Sequence, residues 1–185
     1  KWGLANSINN ISAWLMKQYN PLAVINVARK MGIKSDIPPV PSICLGSADI
    51  SLYEMVGAYS TFANKGVYVE PIFVTRIEDK NGNVIATFVP KKVEAIDEET
   101  AYLMISLLEN VVLAGTSCRI RYRFGLMNEI AAKTGTTQNQ SDGWFIGATP
   151  NLTSGVWVGG EDRSIHFASL YYGQGANMAL PIWAY

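Results

Sequence analysis

The sequence is poor in the side chains that bind metals. Among its 185 residues it has one histidine, His166, and two cysteines, Cys44 and Cys118. A structural zinc site needs about four converging ligands at close spacing, which this set does not supply. We therefore predict neither a metal site nor a cofactor. The cysteines are interpreted as small thiols that are at least half-buried, and the sequence leaves open whether they form a disulfide.

The sequence also lacks an excess of charge of either sign. Fifteen Lys and Arg residues balance fifteen Asp and Glu residues, so the formal net charge is 0 at pH 7. Nucleic-acid-binding domains usually carry a basic excess, and we therefore predict no nucleic-acid partner. Three arginines lie between Arg119 and Arg123. We interpret them as part of a solvated loop that faces phosphate or carboxylate groups.

Long apolar runs are absent as well. No stretch of about 18 apolar residues occurs, so no transmembrane helix is predicted within these residues. Hydrophobic residues make up 49% and charged residues 16% of the chain, which is typical of a folded globular domain. The length corresponds to one domain or to a large part of one. Because the first residue is Lys1 rather than an initiator methionine, we expect the chain to be part of a longer protein.

The first part of the chain has the periodicity and the capping signals of helices. Apolar residues at positions 4, 8, 11 and 15 follow the spacing of one amphipathic helix. Capping residues predict further helices from Asn20-Pro21 to Met31, from Ser51 to about Asn64 and from Asp97 to about Gly115. Asn81-Gly82 predicts a hairpin with a two-residue turn.

Beyond residue 129 the pattern becomes extended. Short apolar segments at 129–137, 143–148 and 153–159 are separated by turn-forming residues, which predicts an antiparallel three-stranded meander. A final helix is predicted from Met178 onward. Helices followed by an antiparallel sheet indicate an α+β fold, with the helices packed on the sheet.

Lys133 begins the segment KTGTT, which is the most informative part of the sequence. A phosphate-binding loop also contains Lys-Thr, but it needs a glycine directly before the lysine, and here Ala-Ala precedes it. In a strand, Thr134 and Thr136 share one face and Lys133 points to the other, while Gly135 lets a ligand backbone approach closely. Hydroxyls beside a positive charge suit a carboxylate, and a free N–H can polarise an attacked carbonyl. An ordinary strand with an exposed lysine fits these five residues equally well.

Ser7-Ile8-Asn9 is the second candidate segment. In a continuous helix the side chains of Ser7 and Asn9 would diverge by about 200°, so they can act together only where the chain breaks. That requirement conflicts with the helical spacing of the apolar residues around them. The sequence alone leaves this conflict open.

In this order, the two segments resemble the Ser-x-Asn and Lys-Thr-Gly motifs of penicillin-binding proteins and serine β-lactamases. Other segments are similar to those of the bifunctional class A penicillin-binding proteins: LGS at 45–47, AYSTFANKG at 58–66, DGWFIG at 142–147 and VWVGG at 156–160. The resemblance covers nearly all 185 residues. It implies the β-lactamase/D,D-peptidase-like fold, in which helices pack on an antiparallel sheet.

The sequence departs from this family at the nucleophile. Family members carry the reactive serine in a Ser-x-x-Lys motif ahead of Ser-x-Asn, and no Ser or Thr here is followed three residues later by Lys. We therefore expect residues 1–185 to be the C-terminal portion of a transpeptidase domain. The nucleophile and the first strands of the family's five-stranded sheet would lie before Lys1, and the last helix would be incomplete at Tyr185. The chain alone is predicted to be inactive.

The resemblance implies a peptidoglycan D,D-transpeptidase that cross-links stem peptides through a serine acyl-enzyme and is acylated by β-lactam antibiotics. Ser7 would pass a proton to the leaving amine, Lys133 would hold positive charge beside it, and Asn9 would orient the donor peptide. Thr136 would donate its N–H to the oxyanion. The substrate carboxylate would be bound at Thr134, Gly135 and Thr136. Trp144, Phe145 and Trp157 are interpreted as packing residues, and His166 as structural or exposed.

The resemblance also implies a location and a set of alternatives. Class A members act in the bacterial cell envelope, at the extracytoplasmic face of the cytoplasmic membrane. We expect membrane contact only through an upstream anchor, together with an upstream glycosyltransferase domain. Two alternatives share the fold: a β-lactamase, which hydrolyses its acyl-enzyme, and a penicillin-sensing domain without turnover.

Overall fold

The structure is a computed structural model that describes residues 1–185. The helices are α1 (Trp2–Ala5), α2 (Asn9–Gln18), α3 (Pro21–Lys30), α4 (Leu52–Ala63), α5 (Glu98–Ala114), α6 (Arg119–Phe124), α7 (Leu170–Gly173) and α8 (Gly175–Ala184). The strands are β1 (Val67–Val69), β2 (Arg76–Glu78), β3 (Val84–Thr87), β4 (Lys92–Glu94), β5 (Ala131–Thr136), β6 (Asp142–Ala148) and β7 (Thr153–Gly159). Short 3-10 helices lie at Pro41–Leu45 and Gln138–Gln140. No helix is both long enough and apolar enough to span a membrane.

The main sheet has the order β5-β6-β7 and is antiparallel throughout. Lys133 pairs with Ile146 across β5 and β6, and Ile146 pairs with Gly155 across β6 and β7. The predicted three-stranded meander is therefore confirmed. The strands β1 and β4 form one small antiparallel sheet, and β2 and β3 form another.

Helices cover both faces of the main sheet. On one face, a Cβ added at Gly147 would lie 2.5 Å from Trp183 of α8, and Phe145 packs on Trp183 with ring centroids 5.1 Å apart. On the other face, a Cβ added at Gly155 would lie 2.8 Å from Val56 of α4. Glycines at these positions let both helices lie close against the strands. The helix–sheet packing confirms the predicted α+β class.

The capping residues in the sequence predicted the starts of these helices correctly. Ser51 and Glu54 form the predicted capping box, the Asn20 side chain accepts from Leu22 N, and Asp97 accepts from Thr100 N. The hairpin prediction was wrong in its loop length, because Asp79 N–H donates to Asn83 O and leaves three residues between them. Both cysteines are free, half-buried thiols.

The prediction of a solvated loop at Arg119–Arg123 was wrong, because these residues lie in α6. Arg121 donates to the carbonyls of Leu126 and Asn128, each at 2.6 Å. Arg119 donates to the Asn177 side chain in α8. Two of the three arginines thus satisfy groups of the protein itself: Arg121 binds the segment just after α6, and Arg119 binds a residue 58 positions away in α8.

Glu54 of α4 joins the helix to the preceding loop. Its carboxylate accepts hydrogen bonds from Lys34 N at 2.7 Å, from Ser35 N at 2.8 Å and from the hydroxyls of Ser35 and Ser51. Burial alone would raise its pKa, but these hydrogen bonds outweigh it and lower the pKa of Glu54 to about 2. The ionised form is therefore the one that stabilises the fold.

Replacing Glu54 with glutamine is expected to lower the free energy of unfolding by about 1–3 kcal/mol at pH 7, because charged hydrogen bonds are lost. The folded-state pKa lies below the ordinary value of 4.5. The stabilisation is therefore complete above about pH 4.5 and disappears as the pH falls toward 2. Urea unfolding at pH 7 and at pH 3 measures this convergence. Glu129→Gln, at an exposed position without side-chain hydrogen bonds, is the control, and an equal effect of both variants would contradict the prediction.

Candidate active site

The chain breaks between α1 and α2, and the break presents Ser7. Ser7 has a left-handed backbone conformation, with φ of 52°. The turn is closed by hydrogen bonds from Ser7 N to Leu4 O at 3.2 Å and from Ile8 N to Gly3 O at 2.9 Å. The continuous helix indicated by the apolar spacing was therefore wrong. The conflict is resolved in favour of a turn, which the Ser-x-Asn interpretation requires.

Lys133 of β5 reaches this turn from the main sheet. Its Nζ donates to Ser7 Oγ and, at 2.9 Å, to the carbonyl of Thr134. Lys133 is half-buried and takes part in none of the four ion pairs of the chain. Burial lowers the pKa of Lys133 to about 8. A lysine with this pKa is mostly protonated at pH 7 and can exchange its proton near neutral pH.

The threonines of β5 point away from the Lys133 face, as predicted. Thr134 pairs with Phe145, and its Oγ1 lies 2.7 Å from Thr116 Oγ1, just after α5. Thr136 is exposed, and its Oγ1 accepts from Gly175 N at 3.0 Å. Because that hydroxyl accepts here, its own proton remains available for a ligand. No pattern in the sequence pointed to Thr116, which meets Thr134 only through the fold.

Asn9 and His166 take no part in the hydrogen bond between Ser7 and Lys133. Asn9 opens α2 with an exposed side chain that makes no hydrogen bond within the chain. His166 is exposed in the loop after β7, with its Nδ1 3.1 Å from Phe167 O. The structure therefore brings Ser7 and Lys133 into contact, places the threonine hydroxyls on the opposite face of β5, and leaves Asn9 at the start of α2.

A cavity of about 710 Å³ opens beside Lys133, between the start of α4 and the main sheet. Residues 133–137 form one wall, and Met55 and Tyr59 of α4 form another. Trp144 and Trp157 also line it, so the interpretation of these two tryptophans as packing residues was incomplete. Phe145, by contrast, is fully buried. A second cavity, of about 720 Å³ between α4, Phe73 and Leu152, contains none of the predicted site residues.

Gly115, at the end of α5, lets α1 lie close enough to place Ser7. A Cβ added there would lie 2.2 Å from the carbonyl oxygen of Ala5, which also accepts from Thr116 N at 3.0 Å. Gly115→Ala is therefore expected to displace the end of α1 and to lower the free energy of unfolding by about 1–3 kcal/mol. Thermal unfolding measures the loss. Gly57→Ala is the control, because its added Cβ would lie no closer than 3.5 Å to Tyr68 and should cause no loss of stability. A Gly115 variant with unchanged stability would contradict the close packing.

The site can be compared with known protein families. Residues 40–161 match the family model of the penicillin-binding protein transpeptidase domain. Penicillin-binding protein 1A of Aquifex aeolicus is 33% identical over 183 residues, which cover 99% of this chain and 24% of that protein. Penicillin-binding protein 1A of Neisseria flavescens is 34% identical over 162 residues, covering 84% of this chain and 20% of that protein. The chain thus spans about a quarter or less of these relatives.

Solved structures have the same fold. Penicillin-binding protein 1A from Haemophilus influenzae superposes with a TM-score of 0.89 at 24% identity, covering 98% of this chain and 32% of that chain. The PonA1 protein from Mycobacterium tuberculosis, in complex with penicillin V, superposes with a TM-score of 0.82 at 27% identity. That match covers 98% of this chain and 53% of PonA1. The resemblance to class A penicillin-binding proteins and the predicted fold are confirmed.

Proposed function

The chain belongs to the penicillin-binding protein transpeptidase family, and on that premise we propose that it forms part of the active site of a peptidoglycan D,D-transpeptidase. The observation that carries the proposal is the hydrogen bond from Lys133 Nζ to Ser7 Oγ. It joins the two segments that resemble the family motifs across 126 residues of sequence. Lys133 also lines the cavity, and a lysine that hydrogen-bonds a hydroxyl is suited to proton transfer.

The reaction proceeds through a covalent acyl-enzyme. A serine nucleophile from a Ser-x-x-Lys segment, which these 185 residues do not contain, attacks the carbonyl between two terminal D-alanines. The amide bond breaks, the terminal D-alanine leaves with a proton, and the amine of a second strand then displaces the serine. We assign the relay of the proton to Ser7, the positive charge beside it to Lys133, and the orientation of the donor peptide to Asn9.

Substrate binding is assigned to β5. Thr134 and Thr136 present hydroxyls that would hold a terminal carboxylate, and Gly135 between them adds no side chain that would obstruct a peptide backbone. The N–H of Thr136 would donate to the developing oxyanion. A β-lactam carries a comparable carboxylate and acyl carbonyl, so we propose it as a second ligand of this site. PonA1, a structural neighbour at 27% identity, is described in complex with penicillin V.

We further propose that the complete protein works at the extracytoplasmic face of the bacterial cytoplasmic membrane, because its proposed substrate is part of the cell wall. We propose no nucleic-acid partner, because the charges of the chain are balanced. Membrane contact would come from a part of the protein outside these 185 residues.

An assay of the complete protein with a lipid-linked peptidoglycan precursor tests the function. The expected result is a cross-linked product whose formation a penicillin blocks. Stable acylation by penicillin without any cross-linked product would instead favour a sensor, and rapid hydrolysis of penicillin would favour a β-lactamase. Either of these results would overturn the proposal.

A further inference from the structure

The second cavity, of about 720 Å³ and here called the Phe73 cavity, lies on a different face of α4 from the candidate active site. Val56 of α4 lines it, whereas Met55 and Tyr59 of the same helix line the cavity beside Lys133. Cavities that hold small ligands have volumes of about 300–1,000 Å³. The Phe73 cavity is therefore large enough for a ligand of its own.

Phe73 forms an exposed aromatic wall of this cavity. It is 89% exposed, although aromatic side chains are usually buried for the most part. Its ring stacks on Tyr53, with the ring centroids 5.8 Å apart and an interplanar angle of 25°. The Tyr53 hydroxyl donates to the carbonyl of Pro71 at 2.9 Å, which ties the segment before Phe73 to α4. One face of the Phe73 ring is thus supported, and the other is open to a ligand.

The polar groups of the Phe73 cavity are uncharged. No Asp, Glu, Lys, Arg or His lines it. Asn151, in the turn between β6 and β7, and Thr153, at the start of β7, have side chains that make no hydrogen bond within the chain. Asn64 donates from its side-chain nitrogen to Val67 O at 2.8 Å, which leaves its Oδ1 available as an acceptor. The cavity therefore offers donors and acceptors to a ligand without a charge.

The walls of the Phe73 cavity are fixed before any ligand binds. Thr149 N donates to Leu152 O at 2.8 Å, which closes the turn that carries Asn151. A Cβ added at Gly155 would lie 2.8 Å from Val56, so α4 and β7 are in close contact behind the cavity. A preformed site binds more tightly than one that must be ordered by its ligand.

An open aromatic face beside uncharged polar groups suits a sugar ring. One face of a pyranose consists of C–H groups, which pack on an aromatic ring, and its rim carries hydroxyls that need hydrogen-bond partners. An acetamido group on the ring matches the side-chain amide of Asn151. A charged ligand would lose hydration here without gaining a counter-charge. A wholly apolar ligand would cover the Asn151 and Thr153 side chains without pairing them.

We propose that the Phe73 cavity binds an uncharged N-acetylated sugar segment of the glycan strand. This inference rests on the proposed function, because the stem peptides of peptidoglycan are attached to a chain of N-acetylated sugars. Leu52, at the start of α4, lines both cavities. An extended peptide of five residues covers about 17 Å, which exceeds the helix diameter of about 10–12 Å. A glycan held at Phe73 can therefore present its own stem peptide to the cavity beside Lys133.

The test uses the complete protein and an uncharged tetramer of β-1,4-linked N-acetylglucosamine that carries a photoreactive diazirine. Mass spectrometry after irradiation and proteolysis locates the attachment sites. We expect labelling within residues 71–73 or 149–153, and we expect Phe73→Ala to weaken it about tenfold through the loss of the stacking ring. The unlabelled tetramer should compete with the probe. A tetramer of glucosamine, which is cationic, should not compete.

Tyr102→Ala is the matched control, because Tyr102 is a 72% exposed aromatic residue of α5 that does not line the Phe73 cavity. It should be labelled like the wild type. The rate of penicillin acylation, which Phe73→Ala should leave unchanged, shows that each variant is folded. Labelling only elsewhere in the protein, equal labelling of Phe73→Ala, or equal competition by glucosamine would overturn the inference. Labelling of the cavity in a protein that forms no cross-linked product would overturn the proposed function instead.

Discussion

The 185-residue chain by itself is expected to form no covalent adduct with a fluorescent penicillin. A lasting bond requires a serine hydroxyl whose proton is removed by an adjacent base, and the chain has no Ser-x-x-Lys sequence. Ser7 does lie beside Lys133, but there the Nζ donates to the Ser7 hydroxyl oxygen. With a pKa of about 8, Lys133 is mostly an ammonium at pH 7. It therefore does not serve as the base that Ser7 would need.

Gel fluorescence and intact-mass measurement test this expectation. The matched control is a longer form of the same protein that includes a Ser-x-x-Lys segment, which should be labelled at that serine. Changing that serine to alanine should abolish labelling again, even with residues 1–185 intact. An adduct at Ser7, or at any other serine of the 185-residue chain, would show that the nucleophile has been assigned wrongly.

Lys133→Ala in the complete protein is expected to slow acylation by penicillin by about 100- to 10,000-fold, the range typical of a lost proton-transfer group. The side chain contributes both a charge and an exchangeable proton at Ser7 Oγ. Lys133→Arg keeps the charge but holds its proton too tightly to exchange it, so a large part of the loss should remain. Lys91→Ala, at an exposed position, is the control and should react at the wild-type rate.

The hydrogen bond between Ser7 and Lys133 predicts that substitutions of these two residues are coupled and that the acylation rate depends on pH. Ser7→Ala and Lys133→Ala should be strongly non-additive, because each removes the same hydrogen bond. If the protonated lysine is the active form, the rate should fall as the pH rises past about 8, well below the ordinary lysine value of 10.5. Single-turnover acylation measured from pH 6 to 10 would show this fall in rate. Additive effects of the two alanine variants would contradict the assigned role. So would a fall in the acylation rate at the same pH in Lys133→Arg.

Much of the local structure could be predicted because its causes are local. The capping box of Ser51 and Glu54 lies within four residues, and the alternation of β5 follows from strand geometry alone. Both gave correct predictions. The hairpin loop was predicted one residue too short. Its length is set by the hydrogen bond from Asp79 N to Asn83 O and by the Asp79 side chain, which accepts from Asn81 N. The α6 arginines were misjudged because their carbonyl and amide partners lie outside the helix.

The features of the candidate site also fall into those that local sequence predicts and those that depend on the fold. The sequence alone determined which residue types are present, the α+β class, and the resemblance that singled out Ser7 and Lys133, since short-range patterns encode all three. The tertiary structure decided that the chain turns at Ser7 between α1 and α2, that Lys133 reaches Ser7 across 126 residues, and that Thr116 meets Thr134. It also left the Asp142 carboxylate without a donor. These features depend on which distant groups are brought together and which are left unpaired, and only packing of the whole chain specifies that.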